Sequence, residues 1–223
     1  MESGQGNILQ SGSDPSNARL KSLIHVSGLP IETMVSMRLD KFQLRKDVKG
    51  LEEALAFANS LACGDTTFSF LTLSGQTGLG KTHLAVGIGW DWLERYKYVV
   101  YGQVENLLDD LREKFERPEH ELFELHIPTF SKRFDQLKTC DLLILDDFGA
   151  QKQTDWGLAK LDALVDYRYI RALATVVTTN SGKGNLPPRI ADRLCDIRKG
   201  KVIVLEGPSY RGITPGRNGD MGG

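Results

Sequence analysis

Between Phe70 and Leu84 the chain reads FLTLSGQTGLGKTHL, an apolar run that breaks into glycines and closes on Lys81-Thr82 at the head of a helical pattern. Gly75, Gly80, Lys81 and Thr82 fill the spacing G-x-x-x-x-G-K-[ST], with Gly78 as a further glycine inside the loop. Phe68–Leu73 supplies the buried strand that this spacing requires before it, and Thr82–Arg95 reads as the amphipathic helix required after it. A strand, a tight loop and a helix in that order form half of a parallel βαβ unit.

The residue types fit one kind of ligand. A polyphosphate needs donors that approach from several directions, and glycines let successive backbone N–H groups form an anion-binding nest at the first helical turn. On this reading Gly75, Gln76, Thr77, Gly78, Leu79 and Gly80 wrap the phosphates, and Lys81 reaches the β and γ groups. Thr82 gives a hydroxyl to Mg²⁺, and His83 packs beside the loop or meets the base. The expected ligand is therefore ATP with Mg²⁺.

The rest of the chain repeats the unit. Val48–Ala62 has helical spacing, as do Glu105–Phe115, Phe130–Leu137, Trp156–Ala172 and Arg189–Cys195. Tyr98–Tyr101, Asp141–Phe148, Ala174–Thr178 and Lys201–Leu205 are short apolar runs without alternation, as expected of strands covered on both faces. Met34–Phe42 reads as an extended lead-in, and Glu116–Ile127 as a charged interruption. Residues 1–30 are expected to be a disordered or short helical extension, 31–211 the folded domain, and 212–223 a disordered tail.

Two of these strands end in candidate chemistry. Asp146 and Asp147 follow the apolar run Leu142–Leu145, at the carboxyl end where ligands of such sheets sit. Asp146 would hold Mg²⁺ and Asp147 would orient the attacking water. Asn180 closes another apolar strand, and its amide can face both the γ-phosphate and the water. Arg189 and Arg193 share a helix face, as a solvated stripe or as arginines that reach a neighbouring subunit's phosphate.

Charge excludes a general attraction to nucleic acid, since 28 Lys and Arg face 29 Asp and Glu. Binding would have to be local, at Arg112/Lys114/Arg117, Lys132/Arg133 or Arg189/Arg193/Arg198/Lys199/Lys201. Phe115, Phe123, Phe130 and Phe134 could stack bases there, although core packing is the better explanation for most of them. Cys63, Cys140 and Cys195 have no metal or disulfide spacing and are expected to be buried thiols. No apolar run is long enough to span a membrane, and the chain reads as cytoplasmic.

The segments GQTGLGKTH, LLILDDFGAQ, VVTTN, RIADRL and SYRG, in this order, resemble the DnaC-like helicase-loader branch of the AAA+ ATPases and the related IstB-like transposition ATPases. The resemblance runs from about Ser27 to Arg211. It implies an α/β P-loop NTPase with a five-stranded parallel sheet sandwiched between helices and no C-terminal lid domain. It also implies that Gly75–Thr82 is Walker A, Asp146 and Asp147 Walker B, and Asn180 sensor 1. Arg193 becomes the arginine finger with Arg189 beside it, and Arg211 a sensor-2-like arginine. The implied activity is a slow ATPase, stimulated by assembly or DNA, that binds single-stranded DNA and assists a replicative helicase. The alternatives are a transposase helper and a nucleotide-gated DNA adaptor with little hydrolysis. A homo-oligomer is implied by the arginine finger. Asp147 stands where many AAA+ proteins have Glu, and the polar extension before the domain is too short for a helicase-docking domain.

Overall fold

The computed structural model describes residues 15–65, 67–149, 154–180 and 186–210. The expected disorder of the first residues and of the tail, and the position of Arg211, lie outside them.

Five strands form one sheet: β1 (Phe70–Gly75), β2 (Val99–Gln103), β3 (Leu142–Asp146), β4 (Ala174–Thr179) and β5 (Gly200–Leu205). Their spatial order is β2-β3-β4-β1-β5 and every pairing is parallel. The helices are α1 (Pro15–Ser27), α2 (Leu51–Ala62), α3 (Lys81–Glu94), α4 (Val104–Glu116), α5 (Glu119–Glu124), α6 (Phe130–Thr139), α7 (Asp155–Ile170) and α8 (Pro188–Leu194).

Side-chain alternation along the strands divides the core in two. Leu71, Leu73, Leu142, Ile144 and Val176 meet α1, α2 and α3 on one face. Phe70, Leu143, Leu145 and Val177 meet α4, α6, α7 and α8 on the other. Both faces are covered, so the strands read as continuous apolar runs.

Three expectations need correction. α3 is not amphipathic: ten of its fourteen residues are buried, because α1, α2 and the lead-in cover the side turned away from the sheet. The lead-in is not extended either, but contains two single turns of 3₁₀ helix, Ile31–Thr33 and Leu39–Lys41. Cys63 is exposed, just past the end of α2, while Cys140 is buried and Cys195 half-buried.

Arg168 is fully buried on α7. Its guanidinium donates to the carbonyls of Leu137, Lys138, Cys140 and Ala174 and to the Thr175 hydroxyl. It thereby ties the end of α6 to the start of β4, satisfying carbonyls that a helix end leaves open. Burial pulls its pKa down, and the neighbouring Cys140 opposes that shift.

Candidate functional site

β4 lies between β1 and β3, so the loop after β1, the acids after β3 and Asn180 after β4 converge at one edge of the sheet. The loop has little room for side chains. At Gly75, with φ at 145°, a Cβ would stand 2.3 Å from the Leu205 carbonyl oxygen. Gly80, with φ at 90°, caps α3, and a Cβ there would come within 2.9 Å of the Phe42 ring. Both positions combine a conformation open to glycine with a close approach. The loop therefore leads straight into the amino end of α3, where unpaired N–H groups and the helix dipole favour an anion.

Lys81 is only 6% exposed. Its ammonium donates to the carbonyls of Gly75 at 2.7 Å and Gln76 at 2.8 Å, and to Asn180 Oδ1 at 2.9 Å. The other end of that amide donates from Nδ2 to Asp147 Oδ1 at 2.5 Å. Asn180 thus joins the loop lysine to the second acid. Asp147 itself has φ at 56°, a left-handed conformation uncommon outside glycine and tolerated best by Asp and Asn. Its N–H donates to Thr178 Oγ1 at 3.0 Å, and the next N–H, of Phe148, donates to the Thr178 carbonyl at 2.8 Å. These bonds to β4 hold the turn that swings the carboxylate of Asp147 toward Asn180.

Asp146 is 3% exposed and accepts only hydroxyls among its side-chain partners here. Thr178 donates to Oδ1 at 2.6 Å and Thr82 to the same oxygen at 3.0 Å. Tyr101 donates to Oδ2 at 3.0 Å. Burial, reinforced by the carboxylate, pushes the Tyr101 phenol's pKa well above its ordinary value, so it remains a donor at neutral pH. The Thr82 hydroxyl spends its proton on Asp146 and keeps its lone pairs for a cation. Among the described residues there is no cluster of three or more His, Cys, Asp or Glu to hold a metal unaided. Mg²⁺ is commonly bound by one or two protein oxygens together with phosphate and water, and Thr82 with Asp146 fits that pattern.

The loop opens on a cleft of about 700 Å³, also lined by Met37, Phe42, Arg45, Leu51 and Tyr210. That is the size of an ordinary small-molecule site. Tyr210 N–H donates to the Gly78 carbonyl at 2.9 Å, bringing the end of the described chain over the loop. Thr77, Leu79 and His83 also line the cleft. His83 Nε2 lies 3.1 Å from the Arg38 carbonyl, which can only accept, so that nitrogen carries the proton. The ring also meets Phe42 edge-on at 4.9 Å.

The α8 arginines are elsewhere. Neither Arg189 nor Arg193 is among the described residues that line the cleft. Arg189 pairs with Asp162 at 3.0 Å and its side chain is 71% exposed. Arg193, 18% exposed, donates from Nε to Asp166 at 2.6 Å, also donates to the Arg189 carbonyl, and lies over the Tyr169 ring. Both acids belong to α7, one turn apart.

The other basic patches are engaged as well. Arg112 donates to Thr154 and lies over Trp156, Lys114 and Arg133 share Asp110, and Arg117 pairs with Glu113. Phe115, Phe130 and Phe134 pack with Trp156 in one aromatic cluster, whereas Phe123 is 82% exposed.

Sequence reasoning missed Tyr101 and Thr178. Each lies on a strand flanking β3, and register is what delivers it: Tyr101 is level with Ile144, and Val177 with Leu145. The hydroxyl residues near the ends of YVVY and VVTT were the available signal.

Comparison with known proteins gives the family and the fold. A family model described as IstB-like ATP binding protein matches residues 19–212. YdaV of Escherichia coli (strain K12) is 27% identical over 198 residues, covering 86% of this chain and 75% of that protein. The replicative helicase loader DnaC of the same strain is 23% identical over 219 residues, covering 96% of this chain and 85% of the loader. A solved structure of the replication initiator DnaA, bound to AMPPCP and single-stranded DNA, superposes with a TM-score of 0.65 at 16% identity. That superposition covers 81% of this chain and 51% of the DnaA chain, so the chain spans about half its length. The parallel five-stranded sheet, the glycine loop and the match over most of the chain lead to one assignment: this chain belongs to the IstB-like ATP-binding proteins, with the P-loop AAA+ fold that DnaA and DnaC share.

Proposed function

We propose that the chain is a cytoplasmic ATPase of DNA replication that binds ATP with Mg²⁺ in the cleft, grips single-stranded DNA, and assists the loading of a replicative helicase. The observation that carries this reading is the contact chain Lys81–Asn180–Asp147 beside Thr82–Asp146. It joins a phosphate-binding cation, a polar amide and a carboxylate at one end of the sheet.

In this reading Gly75–Gly80 and Lys81 hold the phosphates, and Thr82 and Asp146 hold Mg²⁺, which when bound neutralises phosphate charge. Asp147 accepts a hydrogen bond from the attacking water and Asn180 fixes its direction. With one methylene fewer than Glu, Asp147 needs the water closer, which makes turnover slow. Arg193, with Arg189 beside it, leaves its α7 acid and meets the nucleotide of a neighbouring copy. Arg211, next in sequence after Tyr210, would act as a sensor-2-like arginine on this chain's own nucleotide.

The family match over residues 19–212 supports a second reading with the same site, in which the client is a transposase rather than a helicase. A third is a nucleotide-gated DNA adaptor with little turnover, supported by the short Asp147. The helicase reading draws on the similarity to a protein named as a helicase loader over 96% of the chain.

The reading stands or falls on Lys81. Charge-assisted bonds are worth about 1.5–3 kcal/mol, so Lys81→Ala should weaken ATP binding at least about tenfold by calorimetry. Unchanged affinity would refute it. Co-sedimentation of wild-type protein and ATP with purified helicase or transposase then separates the clients.

A further inference from the structure

Tyr101 is the one group from β2 that reaches the strand-end cluster through its side chain among the hydrogen bonds described. Its phenol stands 3.0 Å from Asp146 Oδ2, while Thr178 and Thr82 converge on Oδ1. An ionised carboxylate offers about four lone-pair positions, two on each oxygen. The three hydroxyls fill both positions on Oδ1 and one on Oδ2. Counting these three bonds among the described residues, one acceptor position is left, on the oxygen that Tyr101 holds.

Register explains how the phenol gets there. Tyr101 is level with Ile144, two residues before Asp146 and on the same face of β3. Its ring packs, half-buried, against the core cluster under α3. The ring is therefore fixed before the hydroxyl makes its bond, so the bond costs little further side-chain entropy. Thr82 also lies 3.3 Å from Oδ2, so the carboxylate could rotate toward it if Tyr101 let go.

We propose that Tyr101 is a positioning residue that locks the rotation of the Asp146 carboxylate. By doing so it leaves one oxygen position for a water molecule of the Mg²⁺·nucleotide complex and sets how tightly that complex is held. This rests on the reading of the cleft as a Mg²⁺·ATP site. Partners that orient a metal-binding carboxylate commonly change metal affinity by about 10–100-fold when removed.

Tyr101→Phe deletes the hydroxyl and keeps the ring. The experiment titrates Mg²⁺ into wild-type and Tyr101→Phe protein carrying a fluorescent ATP analogue and reads the analogue's affinity, with an EDTA arm for each. The Mg²⁺ concentration giving half-maximal tightening should rise about tenfold in the variant, while affinity in EDTA stays equal to wild type. A role confined to packing would instead lower the melting temperature and leave the Mg²⁺ midpoint where it was. Superimposable Mg²⁺ curves overturn the proposal alone. Wild-type affinity that ignores Mg²⁺ overturns the reading of the site as well.

Discussion

The strand-end cluster and the α8 arginines use the same chemistry, cations beside carboxylates, but they are held in opposite ways. Lys81 and Asp146 are buried, and their partners come from the loop, α3, β2 and β4. These partners are set by the loop and by the register of the sheet. Arg189 and Arg193 instead hang on α7 by Asp162 and Asp166, toward the surface. The exposed Arg189 pair is worth roughly 0–1 kcal/mol, whereas Arg193 is mostly covered and also holds the Arg189 carbonyl and the Tyr169 ring, so it leaves Asp166 only for another anion. One region is organised by the fold itself. The other is held between two helices, and the proposed role in a neighbouring copy would require Arg193 to exchange Asp166 for phosphate.

The largest effect that sharpens this contrast is expected at Arg193. Its guanidinium fork matches phosphate oxygens and stays charged, and such fingers supply about 10³–10⁵ in rate. Arg193→Ala should lower ATP hydrolysis by the assembled protein on that scale and leave nucleotide affinity within about twofold, by phosphate release and calorimetry. Arg193→Lys retains a cation for Asp166 and should be nearly as slow, which separates the fork from the fold.

Next comes Asp147→Asn, which keeps size and the bond to Asn180 but removes the carboxylate that polarises water. Hydrolysis should fall about 10²–10⁴-fold with ATP still bound. Equal turnover of the two proteins, with and without single-stranded DNA, would favour the adaptor reading.

The smallest effect is expected at Asp166→Asn, which loosens the hold on Arg193. Each 1 kcal/mol by which the pair restrains Arg193 is worth about fivefold, so hydrolysis in the assembly should rise by no more than about tenfold. A loss of activity would mean that Asp166 orients the arginine rather than restraining it.

These experiments also mark what could be read from the residues. The parallel sheet was legible because strands buried on both faces must be apolar throughout, and Leu142–Leu145 ending in Asp146-Asp147 announces both strand and acids. The loop was legible because its ligand dictates glycines at set positions. Tyr101 and Thr178 were not, since a hydroxyl on one strand reaches a carboxylate on the next only through register, which packing decides. Nor was the left-handed turn at Asp147, which depends on bonds from Thr178. α5 escaped notice because six charged and apolar residues after Pro118 carry little helical period. Arg168 reads as one more charge on α7, and only the fold brings four carbonyls around it.

The central claim is that the pocket is complete in one chain except for an arginine from the next. It is tested most directly by titrating Arg193→Ala protein into Lys81→Ala protein and reading phosphate release. The first has an intact pocket and no finger, the second an intact finger and a disabled pocket. The account predicts turnover in the mixture above the sum of the two alone, with a maximum at intermediate ratios. If light scattering shows that the variants co-assemble and no ratio exceeds that sum, Arg193 does not act on a neighbour's nucleotide and the contrast drawn here is wrong.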